Sequence, residues 1–415
     1  MIQFCTSIES SRLRYTVEQF FSPISVRWVS HQAEVDAAIP VIYYGSNPGG
    51  FSIPLSPRKW YEKGFRYPHN SGAIFPTNTE EWTDVDWLEI LFYLYARVDE
   101  YGSPSMDKHG RIEPKNLVQS RWQGVQRPYI ELWREQVFKT LQIQDRYVCT
   151  QELTIDVDSA FAYRHKGFKR TLGGFVKDML GGEWSNARER LQVLFKSRAD
   201  RFDTYDYLLQ CQEQSKWPLK MFFLLADASR YNIGLDYRQP RFRELIQRMA
   251  GRVEVGIHPG YHDQDNERHT RLELARLQEI VGRPVAISRQ HFLKMSMPET
   301  YRALHSMGIR ADYTMGFAQT VGYRAGTSRP FFWYDYERDE RTELLIVPFW
   351  GMDTVIVRHM GWQPSDAMEQ MEQAMREVAG LGDWRMIWHN ETVSDEREWA
   401  GWKTVFEYQF KRKNA

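Results

Sequence analysis

The chain has 415 residues, 42% hydrophobic and 26% charged, with 54 basic groups balanced by 54 acidic ones. This length sets two domains as the default, and the balanced charge supplies no whole-molecule basic field to hold nucleic acid or an anionic membrane. Three cysteines (Cys5, Cys149 and Cys211) stand far apart with no CxxC, which argues against a disulfide framework or a cysteine zinc site.

The opening segment, MIQFCTSIESSRLRYTVEQFF, carries charges early and lacks an apolar core of signal-peptide length. No run of ~18 apolar residues follows, so the expectation is a cytoplasmic protein. Residues 1–147 read as one smaller α/β unit. Within it, IPVIYYG (39–45) is a short strand, and the glycines behind it lack the Gly-Lys-Ser/Thr ending of a phosphate loop. WLEILFYLYARVDEY (87–101) gathers Trp87, Ile90, Leu91, Tyr93, Leu94 and Val98 on one broad helical face. After a polar, Gly-containing loop (102–127), PYIELWREQVFKTLQI (128–143) is a second helix with Pro128 near its start.

From 148 onward, strands and helices alternate. The strand in RYVCTQELTIDVDSAF opens the series and KMFFLLAD (220–227) continues it. FRELIQRMAG (242–251) is a helix stopped by Gly251, VEVGIH (253–258) a strand, and RLELARLQEIVG (271–282) a helix stopped by Gly282. PVAISRQHFL (284–293) is a strand and its exit. Ser296-Met-Pro-Glu299 reads as a capping box that opens a helix through His305. IRADYTMGF (309–317), ELLIVPFW (343–350) and WRMIWHNE (384–391) are further strands, the last preceded by the helix DAMEQMEQAMREVAGLG. Such alternation predicts a parallel sheet with crossover helices, and its length fits a closed TIM-like barrel over 148–415 better than an open sheet.

In such barrels the chemistry sits at the C-terminal strand ends. Here they carry Asp156 and Asp158 (TIDVD), His258 with His262 four residues on (HPGYH), Arg289 and His291 (SRQHF), Asp312 (RADY) and His389 (MIWH). Two imidazoles and a carboxylate hold a divalent metal and leave a position open for water, whose pKa the metal lowers to roughly 7. A second carboxylate then serves as general base and a protonated histidine as general acid. TIDVD offers two carboxylates on the same side of a strand.

An Asp-bearing strand end followed by HxxxH, an Arg-bearing strand, an Asp strand and a late apolar-His strand resembles the motif order of the NodB-type polysaccharide deacetylases. The resemblance covers about 148–415. It extends to the whole chain for a bacterial two-domain subgroup whose N-terminal domain is uncharacterised. It implies a distorted (β/α)7 TIM-like barrel and a metal-dependent deacetylase acting on the N-acetyl or O-acetyl group of a sugar, glycan or glycan precursor. Carried over, it implies Asp156 as base, Asp158, His258 and His262 as metal ligands, Arg289 as the groove-wall arginine, Asp312 as partner of the acid, and His389 as the acid. The His, His, Asp set makes Zn2+ the first choice; Co2+, Mn2+, Ni2+ and Fe2+ suit the same donors.

The sequence departs from the pattern in two places. Val157 separates aspartates that the family keeps adjacent, which leaves open which one ligates. SRQHF replaces R-x-P-Y, so His291 becomes an added polar group and a candidate substrate contact. Arg324 and Asp353 are further substrate-binding candidates beside two aromatic-rich stretches, RPFFWYDY (329–336) and PFWGMD (348–353), whose rings suit sugar faces. The expected partner is an acetylated sugar or glycan, with no nucleic acid and no membrane. Two rivals stand beside this reading: hydrolysis of another amide C–N bond on the same barrel, and a non-catalytic glycan-binding or assembly protein that keeps the metal site.

Overall fold

The computed structural model describes residues 1–46, 48–68, 84–102, 105–122, 124–261 and 267–411. The chain begins with a parallel sheet of β1 (Ile2–Cys5), β2 (Val26–Val29), β3 (Val41–Tyr44) and β4 (Ser52–Ile53), in the order β2-β1-β3-β4. Helix α1 (Ser11–Phe21) connects the first two strands. Ser10 caps it by accepting from Leu13 N, and its buried Leu13, Val17 and Phe20 repeat at helical spacing. Helix α2 (Trp87–Tyr95) is buried all round and so lies in the core. Helices α3 (Val118–Trp122) and α4 (Tyr129–Thr140) complete this part.

The second part is built on β5 (Gln151–Val157), β6 (Leu219–Phe223), β7 (Glu254–Ile257), β8 (Ile287–Ser288), β9 (Ala311–Asp312), β10 (Phe331–Asp335), β11 (Glu340–Ile346), β12 (Gly351–Met352) and β13 (Trp384–His389). Three helices separate β5 from β6: α5 (Phe168–Leu180), α6 (Trp184–Leu194) and α7 (Tyr205–Ser215). Later connections contain α8 (Pro240–Ala250), α9 (Glu267–Val281), α10 (Glu299–Ser306), α11 (Asp353–Arg358) and α12 (Pro364–Val378), and α13 (Trp402–Lys411) follows the last strand. α8 shows the logic: Pro240 starts it, Phe242, Leu245, Ile246 and Met249 bury one face, and Gly251 ends it. α10 starts without the expected capping box. Pro298 occupies the cap position, and the Thr300 hydroxyl instead accepts from Ser296 N at 2.9 Å.

The strands form one sheet in the order β10-β11-β9-β8-β7-β6-β5-β13-β12, parallel except for the β10–β11 hairpin. Among the described residues no ladder joins β10 to β12. Of the expected TIM-like barrel, the structure shows the coarser feature, a large, mainly parallel sheet with crossover helices. β8, β9 and β12 pair over two residues each, and an antiparallel hairpin takes one edge. Residues 347–350 run from β11 to β12, with Phe349 N donating to Met315 O and Trp350 N to Arg385 O.

The two parts share one continuous apolar core. Polar contacts are buried along the same seam. Glu100 takes both arms of Arg324, and Glu131 accepts from Thr327 Oγ1, Ser328 N and Arg329 N. Among the described residues no helix is long and apolar enough to cross a membrane.

Candidate functional site

β5, β6, β7, β8 and β13 are parallel, so their C-terminal ends open on one edge. Asp156 lies in register with His389, and Asp158 follows one residue beyond β5. His258 follows β7, its backbone N–H continuing the ladder to Phe223 O. Arg289 follows β8, and its N–H pairs with Ile257 O. Gly256 makes this convergence possible: a Cβ there would lie 2.6 Å from the Phe222 ring and 2.8 Å from Ile287.

The side chains focus on Asp158. His258 Nδ1 donates to Arg289 O at 2.7 Å, which turns its Nε2 towards Asp158 Oδ1 at 3.2 Å. His291 Nε2 lies 3.3 Å from Asp158 Oδ2, and His389 Nε2 3.9 Å from the same oxygen. One donor atom each from Asp158, His258 and His291 falls within 4.8 Å of the others. Burial works against a charged Asp158, but the imidazoles of His291 and His258 outweigh it and hold the carboxyl well below the usual range. Burial pushes His291 below the ordinary imidazole value, towards the neutral form that a metal ligand needs.

Asp156 and His389 flank this group. Arg289 Nη1 binds Asp156 Oδ1 at 2.7 Å, with Nη2 on Thr154 Oγ1 and Nε on Tyr313 O. Its guanidinium sits 4.3 Å over the Phe222 ring. Asp156 Oδ2 faces His258 Nε2 at 3.9 Å. His389 Nδ1 lies 2.8 Å from Asp353 Oδ1, and the other oxygen of Asp353 accepts from His389 N and Thr392 Oγ1. Burial alone would favour a neutral His389, but Asp353 reverses this and raises its pKa to about 10.

Several expected roles change. Asp312 does not meet His389: its carboxylate is taken by Ser288 Oγ, Thr314 Oγ1 and Thr314 N. Asp353, expected at the substrate, is instead the partner of His389 and fully buried. Arg324 is locked in its buried pair with Glu100, away from solvent. His291, expected as a substrate contact, joins the potential metal donors. Consecutive left-handed residues, Phe292 (φ 61°) and Leu293 (φ 54°), form the tight turn that carries it. His262 lies outside the described residues. RPFFWYDY and PFWGMD pack inward rather than forming a rim: Trp333, Tyr334, Phe349 and Trp350 are all buried.

The cavity above Asp158 encloses about 370 Å3, within the range of small-molecule sites. Tyr231 and Phe292 give it aromatic walls, and Arg111, Arg230 and Arg358 line it as well. Arg111 comes from the N-terminal part. Asp107 clamps its Nε at 2.8 Å while Nη1 donates to Phe292 O. Beside it, His109 Nδ1 meets Tyr261 Oη at 3.0 Å. No local pattern marks Arg111, which lies in a polar loop; only the turn Asp107–Gly110 hints at order there.

Residues 1–146 match a family described as "Family of unknown function (DUF7033)". No curated protein matches the chain. Among solved structures it is similar to a putative polysaccharide deacetylase from Mycobacterium smegmatis (16% identity, TM-score 0.42, covering 65% of this chain and 87% of that one). It is also similar to the Puue allantoinase (15%, 0.40, 64% and 85%), and to a probable polysaccharide deacetylase from Pseudomonas aeruginosa PAO1 (15%, 0.38, 63% and 84%).

Proposed function

We propose that this chain is a metal-dependent deacetylase that hydrolyses the N-acetyl or O-acetyl group of a sugar, glycan or glycan precursor. The observation that carries it is the convergence of Asp158, His258 and His291 between a carboxylate held by arginine and a histidine held by aspartate. The donor set suits a divalent ion, Zn2+ first and Co2+, Mn2+, Ni2+ or Fe2+ after it. Asp158 Oδ1 is buried with no hydrogen-bond partner among the described residues, and His258 keeps its proton on the far nitrogen, as ligating histidines do. Asp158, His258 and His291 would hold the ion, with His262 a further candidate imidazole. The reading also takes the mainly parallel sheet as a distorted (β/α)7 barrel, with 1–147 and 148–415 as its two domains.

Such an ion supplies a more acidic water and a polarised carbonyl. The chain's own residues do the rest. Arg289 holds Asp156 Oδ1, leaving Oδ2 towards His258 to accept the proton of the attacking water. Asp353 keeps His389 charged and fixes its ring, so that its Nε2 proton is available for the departing amine or alkoxide. Tyr231 and Phe292 offer faces to a sugar ring. Acetate release from acetylated mono- and oligosaccharides tests the reading: turnover with added zinc, abolished in Asp158→Asn, is the expected result.

A second reading is hydrolysis of another amide C–N bond in a small anionic substrate. It is favoured by the three arginines, Arg111, Arg230 and Arg358, on the cavity lining. Ammonia or carboxylate release from acidic amides, with no acetate from sugars, selects it.

A further inference from the structure

The α5–α6 hairpin is unlike the rest of the surface. No residue of α5 is buried. Phe168, Leu172, Val176 and Leu180 follow at four-residue spacing along one face, with exposures of 81%, 49%, 46% and 86%. Trp184, Leu191, Leu194 and Phe195 on and beyond α6 are exposed too. Contiguous apolar surface of this kind marks an interaction site.

The charge around it indicates the partner. Residues 168–198 hold seven Lys and Arg against three Asp and Glu, in a chain whose total charge is zero. Lys169, Lys177, Arg188 and Lys196 are exposed. Lys169 and Lys177 directly follow Phe168 and Val176, ~100° around the helix, where long stems flank the apolar stripe. A second copy seated on this face would set two basic surfaces against each other. An anionic surface that also accepts apolar side chains meets both features, and that is the chemistry of a bilayer rich in acidic lipid.

We propose that the α5–α6 hairpin docks this protein on an anionic bilayer. The hairpin is built to transmit that docking. Arg190 clasps Asp178 at 2.8 Å across the two helices, and Gly174 leaves room for its guanidinium. From α5, Arg170 donates to Ile233 O and Gly234 O at 2.8 Å each. Ile233 and its neighbour Tyr231 line the catalytic cavity. Docking therefore fixes the cavity's rim beside the lipid surface.

The test is co-sedimentation of the full chain with vesicles of equal parts phosphatidylglycerol and phosphatidylcholine, and with phosphatidylcholine alone, at low and high salt. Phe168→Ser/Leu180→Ser and Lys169→Glu/Lys177→Glu are run beside the wild type, with circular dichroism and sedimentation velocity on each. All four positions are exposed, so the core is untouched. Expected are salt-sensitive binding to the acidic vesicles only, and a loss of about tenfold or more in each variant. Wild type that stays in the supernatant overturns the proposal. So does equal binding by the variants, or a wild-type dimer that Phe168→Ser/Leu180→Ser dissociates with no vesicle binding. The assay reads no turnover, so its outcome is independent of the deacetylase reading.

Discussion

His389 owes its charge chiefly to Asp353, with Asp158 and Asp156 adding to it. Its pKa of about 10, against an ordinary 6.5, is burial overturned by Asp353. A neutral residue at 353 lets the value fall, so the acid loses its proton at lower pH. Asp353→Asn should therefore move the basic limb of the kcat profile to lower pH and cut kcat above it on the order of 10²-fold. A profile with an unmoved basic limb would show that His389 is not the acid. The linkage runs the same way: a raised folded-state pKa contributes stability that is complete below about 6.5 and lost as pH rises towards about 10. Arg289 and Asp156 are a second such dependence, both essentially without solvent contact. Arg289→Met leaves the carboxylate buried and unpaired, and denaturant titration should show a loss of about 3–5 kcal/mol. At this scale the sequence was largely readable: Asp156, Asp158, His258, Arg289 and His389 each end an apolar run. Asp353 was misassigned because it reaches His389 only through the pairing of neighbouring strands, and His291 because its position depends on the left-handed turn at Phe292.

Among elements, those with a strong period were legible. α8, α9 and α12 carry clean apolar stripes and recognisable ends; β5 alternates Leu153, Ile155 and Val157 with polar residues, and β7 and β13 are short, mostly apolar segments. α5 and α6 were not. α5 buries no residue and is interrupted by Gly173 and Gly174, and α6 buries Glu189 and Arg190 beside only Ala187 and Val193, so neither matches an apolar core stripe. β8, β9 and β12, at two residues each, are defined by their partners rather than their composition. β7 owes its place beside β6 and β8 to Gly256. Adding a methyl against Phe222 forces the strands apart, so Gly256→Ala should cost about 1–3 kcal/mol in urea unfolding and misplace His258. An unchanged midpoint with full activity would refute this.

For the whole molecule, the N-terminal part does two things. It completes the cavity with Arg111 and buries the seam against the large sheet. Arg111→Ala should raise KM severalfold and leave kcat nearly unchanged, because the residue touches the cavity lining rather than the Asp158 group. Residues 148–415 expressed alone would expose a shared core and leave Arg324 without Glu100, a loss of about 3–5 kcal/mol from that pair alone. Circular dichroism and solubility of that fragment should show an aggregating chain; a folded, soluble fragment would contradict the shared core. The balanced total charge does not reveal where the charges are placed: residues 168–198 alone hold seven basic against three acidic residues. Asp158, His258 and His291 must hold an ion for the proposed chemistry to run, and elemental analysis of the purified full chain after zinc loading, beside His258→Ala/His291→Ala, measures whether they do. About one bound ion per chain is expected in the wild type and none in the folded variant. A wild-type protein without metal, or a variant that keeps it, would overturn the metal assignment.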